Sequence, residues 1–178
     1  MRGSLSVAIV GTRAPTKYGR EMAYKFSFSL AKNGVTIISG LARGIDTIAH
    51  QAALDAGGRT IAVLGSGKDV IYPPENKRLA EKIMEHGQVL SPFPDGTLPY
   101  GKNFLIRNEL IVKLSQAVLV IEGMMRSGTL NTATHAANAG VEVFAIPGSP
   151  ITDFLAENGA RIATKPEDIL EYVKLTFN

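Results

Sequence analysis

Short apolar runs alternate with helical patterns along this chain, and this alternation limits the folds available to it. Each run is rich in Val, Ile, Leu and Ala, and is followed by apolar residues at a spacing near 3.6. Short strands that are apolar throughout are typical of a parallel sheet covered on both faces. Because crossovers between parallel strands are right-handed, the pattern predicts an α/β fold, a doubly wound, mainly parallel, extended Rossmann-like sheet in three α/β/α layers. The predicted strands are residues 7–10, 35–38, 60–64, 88–90, 117–121 and 141–145.

The helical patterns lie between these strands and in the tail. A single Rossmann-like domain over residues 1–178 fits the length of the chain. Pro73 and Pro74 are placed in the first turn of the third helix, where proline is tolerated, and Gly87 ends that helix. Residues 150–178 are expected to form only a short helical tail. The predicted helices are residues 19–33, 44–56, 73–87, 103–115, 128–139, 151–157 and 166–177.

Composition excludes several classes of function. The chain has no cysteine, which excludes disulfides, cysteine-ligated zinc, iron–sulfur clusters and thiol nucleophiles. The three histidines His50, His86 and His135 are far apart and match no metal-binding spacing, so neither a metal nor a cofactor is expected. The apolar runs are far shorter than the ~20 residues of a membrane helix. The N-terminus shows no signal-peptide pattern, which predicts a cytoplasmic protein.

Glycines and basic residues coincide where the predicted strands end. Ligands of doubly wound sheets bind beyond the carboxyl ends of the strands. Glycine allows the backbone close to a ligand, and the start of a helix presents free N–H groups and partial positive charge. Five of the six turns also carry a base, which predicts a row of phosphate-sized sites along one sheet edge. The turns contain Gly11 and Arg13, Gly40, Arg43 and Gly44, Gly65 and Lys68, Gly101 and Lys102, Arg126 and Gly128, and Gly148.

The distribution of charge agrees with an anionic ligand. The chain carries 19 Lys and Arg against 16 Asp and Glu, a net charge of only +3. Residues 1–58 contain seven bases and three acids, whereas residues 139–178 contain three bases and six acids. The basic excess therefore lies in the N-terminal third of the chain, which holds the first glycine-rich turns.

Standard nucleotide motifs are missing from these turns. No Gly-x-Gly-x-x-Gly follows the first strand. The segment around Gly67 and Lys68 has Ala62 and Asp69 where a P-loop requires Gly and Ser or Thr. The sequence therefore gives little support for binding of NAD or ATP. Asp46, in the first turn of the second helix, has two interpretations: a base or ribose contact, or an acid that orients Arg43.

Six ordered segments resemble the DNA-processing protein family DprA, also called Smf. The resemblance is collinear over residues 7–149, which would form the family-like core. The segments are Arg13 in the first turn, the run 39–46 (Ser-Gly-Leu-Ala-Arg-Gly-Ile-Asp), residues 63–76, the run 102–108 (Lys-Asn-Phe-Leu-Ile-Arg-Asn), the run 126–130 (Arg-Ser-Gly-Thr-Leu) and residues 143–149.

The resemblance implies a protein that binds single-stranded DNA. Members of the family protect incoming DNA in natural transformation, help to load the RecA recombinase, act as homodimers and are not established enzymes. Arg43 and Lys102 match the DNA-contacting positions of the family. Glu109 replaces an arginine of the family pattern, which predicts weaker DNA binding. The predicted DNA- and phosphate-binding residues are Arg13, Ser39, Gly40, Arg43, Gly44, Lys102, Asn103, Arg107, Asn108, Ser127, Gly128 and Thr129.

Two alternatives to a DNA-binding protein remain open at this point. The fold also resembles the LOG (lysine decarboxylase-like) proteins, which hydrolyse nucleoside 5′-monophosphates. Asn131 and Thr132 stand where that family carries acids, and Glu122 is the only carboxylate at a nearby strand end. The second alternative is a small-nucleotide carrier without turnover. Among the aromatic residues, Tyr100 beside Lys102 is predicted to stack on bases, whereas Phe104 is expected to pack inside.

Overall fold

The apolar runs form strands that lie parallel in one sheet, as predicted. The structure is a computed structural model and describes residues 5–176. The sheet order is β4-β3-β2-β1-β5-β6-β7, and each strand pairs with its neighbours in parallel. The strands are β1 (Ser6–Val10), β2 (Thr36–Ser39), β3 (Thr60–Val63), β4 (Gln88–Leu90), β5 (Ala117–Val120), β6 (Glu142–Ala145) and β7 (Arg161–Ile162).

Helices connect successive strands and cover both faces of the sheet. A 3₁₀ turn, Pro74–Asn76, precedes the third helix, so the regular helix begins later than predicted. The Asn76 amide donates to the Leu41 carbonyl and the Thr47 hydroxyl, both at 2.9 Å, which fixes this turn to the segment after β2. Within residues 5–176, no helix combines the length and the apolar character needed to cross a bilayer. The helices are α1 (Lys17–Lys32), α2 (Ile45–Asp55), α3 (Lys77–His86), α4 (Gly101–Lys113), α5 (Gly128–Asn138), α6 (Pro150–Glu157) and α7 (Pro166–Thr176).

The seventh strand was not predicted from the sequence. β7 has two residues, both exposed, and pairs with β6 through the register Phe144 to Arg161. The Arg161 guanidinium bonds the Glu142 carboxylate at 3.2 Å and lies 5.0 Å from the centre of the Tyr172 ring. A strand this short carries no hydrophobic periodicity, so contacts within the fold define it. The predicted last residue of the final helix, Phe177, lies outside the described residues.

The core consists of apolar side chains on the two faces of the sheet. Helices α1, α2 and α7 pack on one face, around Phe26 and Phe144. Helices α4, α5 and α6 pack on the other, around Val118 and Val120. Phe26 is fully buried, and burial of such a side chain contributes about 1.5–3 kcal/mol relative to exposure. The predicted three-layer arrangement is therefore confirmed.

The strand order reverses at β1, whose two neighbours are β2 and β5. The chain proceeds outward from β1 through β2, β3 and β4, and then returns to β5 on the other side. The loops after β1 and β5 consequently diverge and leave a crevice between them, where doubly wound sheets bind ligands.

Candidate functional site

A cleft of about 470 Å³ opens at this crevice. Its walls come from the loop after β1, the start of α2, the inner face of α4, and the loop and first turn around the start of α5. Its lining includes the polar and aromatic side chains of Arg13, Asp46, Phe104, Arg107, Asn108 and Thr129.

An aromatic ring flanked by two guanidinium groups forms one wall of the cleft. The Arg13 guanidinium lies 5.6 Å from the centre of the Phe104 ring, and that of Arg107 lies 5.3 Å from it. Both distances are within cation–π range. Phe104 and Arg107 are three residues apart on α4, so both side chains lie on the same side of the helix. The sequence predicts that Phe104 packs inside. Its spacing of three residues from Arg107 is the sequence signal that indicates their contact.

Arg107 is a buried cation that ties two strand ends together. Only 5% of the residue is exposed. Its Nη1 donates to the carbonyl of Gly40 at 2.6 Å and to that of Val63 at 3.0 Å, and its Nε donates to Asn108 Oδ1 at 3.0 Å. Burial lowers the pKa of Arg107, and the nearby Asp46 carboxylate counteracts that effect. The guanidinium thus places a positive charge at the inner end of the cleft.

The loop after β2 is held in one conformation by hydrogen bonds. Asp46 Oδ2 accepts from the backbone N–H of Gly40 at 3.1 Å and of Ala42 at 3.3 Å. Between them, Leu41 adopts a positive φ of 58°, which is rare outside glycine. Burial raises the pKa of Asp46, while Arg107 and the two N–H groups lower it. Asp46 therefore fixes the backbone of the loop that carries Arg43, whereas the Arg43 guanidinium itself pairs with Glu75.

Gly44 allows the loops after β1 and β2 to touch. Its φ is +76°, and a Cβ there would lie 2.5 Å from the Thr12 carbonyl oxygen. The next residue, Ile45, donates its N–H to that same oxygen at 3.1 Å. A side chain at position 44 would therefore separate two loops that both border the cleft.

Arg43 is exposed at the side of the cleft and forms an ion pair with Glu75. The hydrogen bond with Glu75 raises the pKa of Arg43. Together with Arg13, Tyr72 and Phe104, Arg43 borders a smaller hollow next to the main cleft. Exposed ion pairs contribute little free energy, so a phosphate can compete with Glu75 for this guanidinium.

The start of α5 closes the opposite wall of the cleft. Ser127 caps the helix, since its hydroxyl accepts the Leu130 N–H at 3.4 Å. The first N–H groups of a helix have no partner within the helix and bear partial positive charge. With Arg126 exposed nearby and the Asn108 amide beside Gly128, this wall is suited to an anion.

The structure gathers most, but not all, of the predicted site residues. Two are internal: the Ser39 hydroxyl donates to the Ile9 carbonyl at 2.6 Å, and the Asn103 amide donates to the Leu98 carbonyl at 3.1 Å. Lys102 is exposed on the first turn of α4, and neither it nor Tyr100 lines the cleft or the hollow. The predicted residues that line the cleft or the hollow are Arg13, Gly40, Arg43, Arg107, Asn108, Ser127, Gly128 and Thr129.

Glu122, the strand-end carboxylate of the hydrolase alternative, anchors α1. Its carboxylate accepts the Thr16 N–H at 3.1 Å and the Thr16 hydroxyl at 3.0 Å. Thr16 is itself the N-cap of α1. Since Glu122 is absent from the lining of the cleft, the loop after β5 supplies no carboxylate there for glycosidic-bond hydrolysis.

His50, on α2, is expected to make folding stability depend on pH. The residue is fully buried, its Nδ1 lies 2.7 Å from the Thr60 hydroxyl, and burial together with Arg107 lowers its pKa to about 3. The pKa of a histidine in the unfolded chain is about 6.5. The contribution of neutral His50 to the free energy of unfolding is therefore fully present above about pH 6.5, and it is lost as the pH falls towards about 3.

Between pH 7 and pH 5, His50 should therefore lower the free energy of unfolding by about 2 kcal/mol. Urea unfolding at the two pH values measures this drop. His50→Gln removes the titration and should reduce the drop by that amount. An equal drop in the variant would contradict the assignment to His50.

Comparison with known proteins identifies the family. A model of the family "DNA recombination-mediator protein A" matches residues 1–174. The chain belongs to this family. Protein Smf of Escherichia coli is 47% identical over 176 residues, which cover 94% of this chain and 47% of that protein. The match of the family thus extends into α7, beyond the motifs that first indicated it.

Solved structures of the family share this fold. DNA processing protein A from Streptococcus pneumoniae superposes with a TM-score of 0.86 at 43% identity, over 94% of this chain and 61% of that one. DNA processing protein A from Helicobacter pylori, described for its single-stranded DNA binding mode, gives a TM-score of 0.89 at 30% identity, over 98% and 82%. The chain spans about half the length of the curated relatives that it matches, for example 43% of Smf from Synechocystis.

Proposed function

We propose that this chain binds single-stranded DNA in the cleft at the β1 end. One observation carries the proposal: the guanidinium groups of Arg13 and Arg107 lie near the ring of Phe104, in a cleft that the start of α5 also lines. Membership of the family supports it, as does the DNA-binding mode described for the H. pylori relative.

The two kinds of group fit the two parts of a nucleotide strand. Guanidinium groups and helix N–H groups neutralise phosphates, and an aromatic ring can stack on an unpaired base. In a duplex the base faces are already stacked on one another, so they cannot reach a ring that lies within a cleft. Backbone contacts position the strand without reading its sequence, and sequence preference should be slight.

The partners of the whole protein follow from the family resemblance. We extend the proposal to a homodimer that acts in the cytoplasm during natural transformation and passes its strand to the RecA recombinase. Lys102, exposed on the first turn of α4, is proposed to contact the strand outside the cleft. No catalytic step is assigned to these residues.

Binding of oligo(dT) and of a duplex of equal length tests the proposed function. Strands of about 20 nucleotides exceed the ~4–16 nucleotides that single-strand binding folds cover. We expect fluorescence anisotropy at the same salt concentration to give at least about tenfold tighter binding of oligo(dT), since only unpaired bases can enter the cleft. Equal or tighter binding of the duplex would contradict the proposal.

A further inference from the structure

The inner end of the cleft is lined by buried apolar side chains. Val10, at the end of β1, and Ile111, on α4, line it and are 6% and 1% exposed. These two side chains belong to the packed core on that face of the sheet. A volume of about 470 Å³ lies within the ~300–1,000 Å³ of typical small-ligand sites. A group bound at this inner end therefore lies against the core of the domain, beneath the rim of the cleft.

Several hydrogen-bond donors that line this pocket have no partner among residues 5–176. Arg107 Nε and Nη1 donate hydrogen bonds to described residues, whereas Nη2 makes no hydrogen bond with them. Thr129 is 7% exposed, and its hydroxyl makes no hydrogen bond with described residues. The N–H groups of Gly128 and Thr129 begin α5, where no helical acceptor exists. Nearly buried, unused donors thus face a cavity from two different helices.

We propose that the inner end of the cleft is a phosphomonoester site, a proposal that rests on the DNA-binding function above. A monoester carries a charge of about −1.5 to −2 and three free oxygens, which match this number of donors. A phosphodiester offers two such oxygens, and placing it at this buried inner end would require nucleotides on both of its sides to enter the cleft. A terminal phosphate brings only one nucleotide with it.

Among residues 5–176, Asp46 is the one carboxylate that lines the cleft, and its position is compatible with an anion on the other side. It follows β2, whereas α5 follows β5, on the far side of β1. Asp46 Oδ2 is already bound by the N–H groups of Gly40 and Ala42. Because these hydrogen bonds and Arg107 offset its charge, the wall at α5 remains the electropositive one.

The test compares three oligo(dT) strands of about 10 nucleotides, a length within single-strand site sizes. One carries a 5′-phosphate, one a 3′-phosphate, and one hydroxyl groups at both ends. Fluorescence anisotropy should show at least about fivefold tighter binding for one phosphorylated strand than for the unphosphorylated strand. Equal affinity for all three, together with no binding of thymidine monophosphate, would overturn the proposal.

Two variants locate the effect within the cleft. Thr129→Val preserves shape, removes one donor and should reduce the preference for the phosphorylated strand, while thermal melting verifies its fold. Arg43→Ala should weaken binding of the three strands by the same factor and leave the preference intact, because Arg43 borders the hollow outside this pocket. An unchanged preference in a folded Thr129→Val together with a folded Arg107→Gln would contradict the assigned position.

Competition distinguishes the two sources of a phosphomonoester. A strand end is the source if thymidine monophosphate displaces the phosphorylated strand only at far higher concentration than an unlabelled copy of that strand. A free nucleotide is the source if the two competitors are equally effective.

If oligo(dT) binds but neither the preference for a phosphorylated strand nor binding of thymidine monophosphate is seen, the DNA-binding proposal stands and the phosphomonoester proposal is refuted. If no oligonucleotide binds, the DNA-binding proposal fails, and direct titration with thymidine monophosphate decides this site.

Discussion

The double variant Arg43→Ala, Lys102→Ala is expected to bind oligo(dT) at least tenfold more weakly than the unaltered chain, about 1.4 kcal/mol or more. Both side chains are exposed, and both are proposed to contact the bound strand. Arg43 borders the hollow beside Phe104, and its partner Glu75 is an exposed carboxylate that a phosphate can replace. Anisotropy titration at fixed salt concentration measures the loss.

A matched variant controls for the loss of two charges. Lys25→Ala, Lys82→Ala removes the same net charge from exposed positions on α1 and α3, away from the cleft. It should change the affinity by less than about threefold, because distant exposed charges are screened by salt. Similar losses in both double variants would mean that DNA responds only to the net charge of the protein. Unchanged binding by a folded Arg43→Ala, Lys102→Ala would contradict the assigned contacts directly.

Gly44→Ala is expected to lower the free energy of unfolding by about 3 kcal/mol. The φ of +76° strains any other residue by about 1 kcal/mol or more, and the new methyl group would meet the Thr12 carbonyl oxygen at 2.5 Å. Such overpacking costs about 1–3 kcal/mol. For a chain of this length the melting temperature should fall by roughly 6–12 °C. DNA affinity should fall as well, since the loops that carry Arg13 and Arg43 would move apart.

Gly57→Ala separates the two causes of that destabilisation. Gly57 also has a positive φ, +67°, but a Cβ there would meet nothing within 4 Å. This variant should lose only the backbone contribution, about 1 kcal/mol, and should bind DNA normally. If the two variants were destabilised equally, the contact between Gly44 and the Thr12 carbonyl would have no energetic role.

The sheet was predictable because its strands are apolar on both faces. Most of the first six strands consist mainly of Val, Ile, Leu and Ala, which is unlike a loop or an amphipathic helix, whereas β4 is short and only partly buried. β7 was not predictable, because its two exposed residues pair with β6 for reasons outside the strand itself. The pairing depends on the turn that follows α6 and on the contacts of Arg161 with Glu142 and Tyr172.

The site was predictable to the extent that strand order determines it. Arg13 and Ser127 lie far apart in sequence, yet the rule for strand ends places both at one crevice. The roles of individual side chains depend on tertiary neighbours. Ser39 lies at the end of β2, but its hydroxyl donates a hydrogen bond to the carbonyl of Ile9 on the adjacent strand and is therefore not available to a ligand. The proximity of Phe104 to two guanidinium groups follows from its spacing to Arg107, which the sequence shows, and from the position of Arg13, which it does not.

The dependence of oligo(dT) binding on salt concentration tests the central claim most directly. The claim is that Arg13, Arg43, Lys102 and Arg107 neutralise phosphates of one bound strand. Each phosphate neutralised on a single strand contributes about −0.7 to the slope of log K against log salt, so these four cations predict a slope of about −3. A slope near −3 that becomes shallower by about 1.4 in Arg43→Ala, Lys102→Ala agrees with the account. A slope near zero, or one that the double variant leaves unchanged, would contradict it.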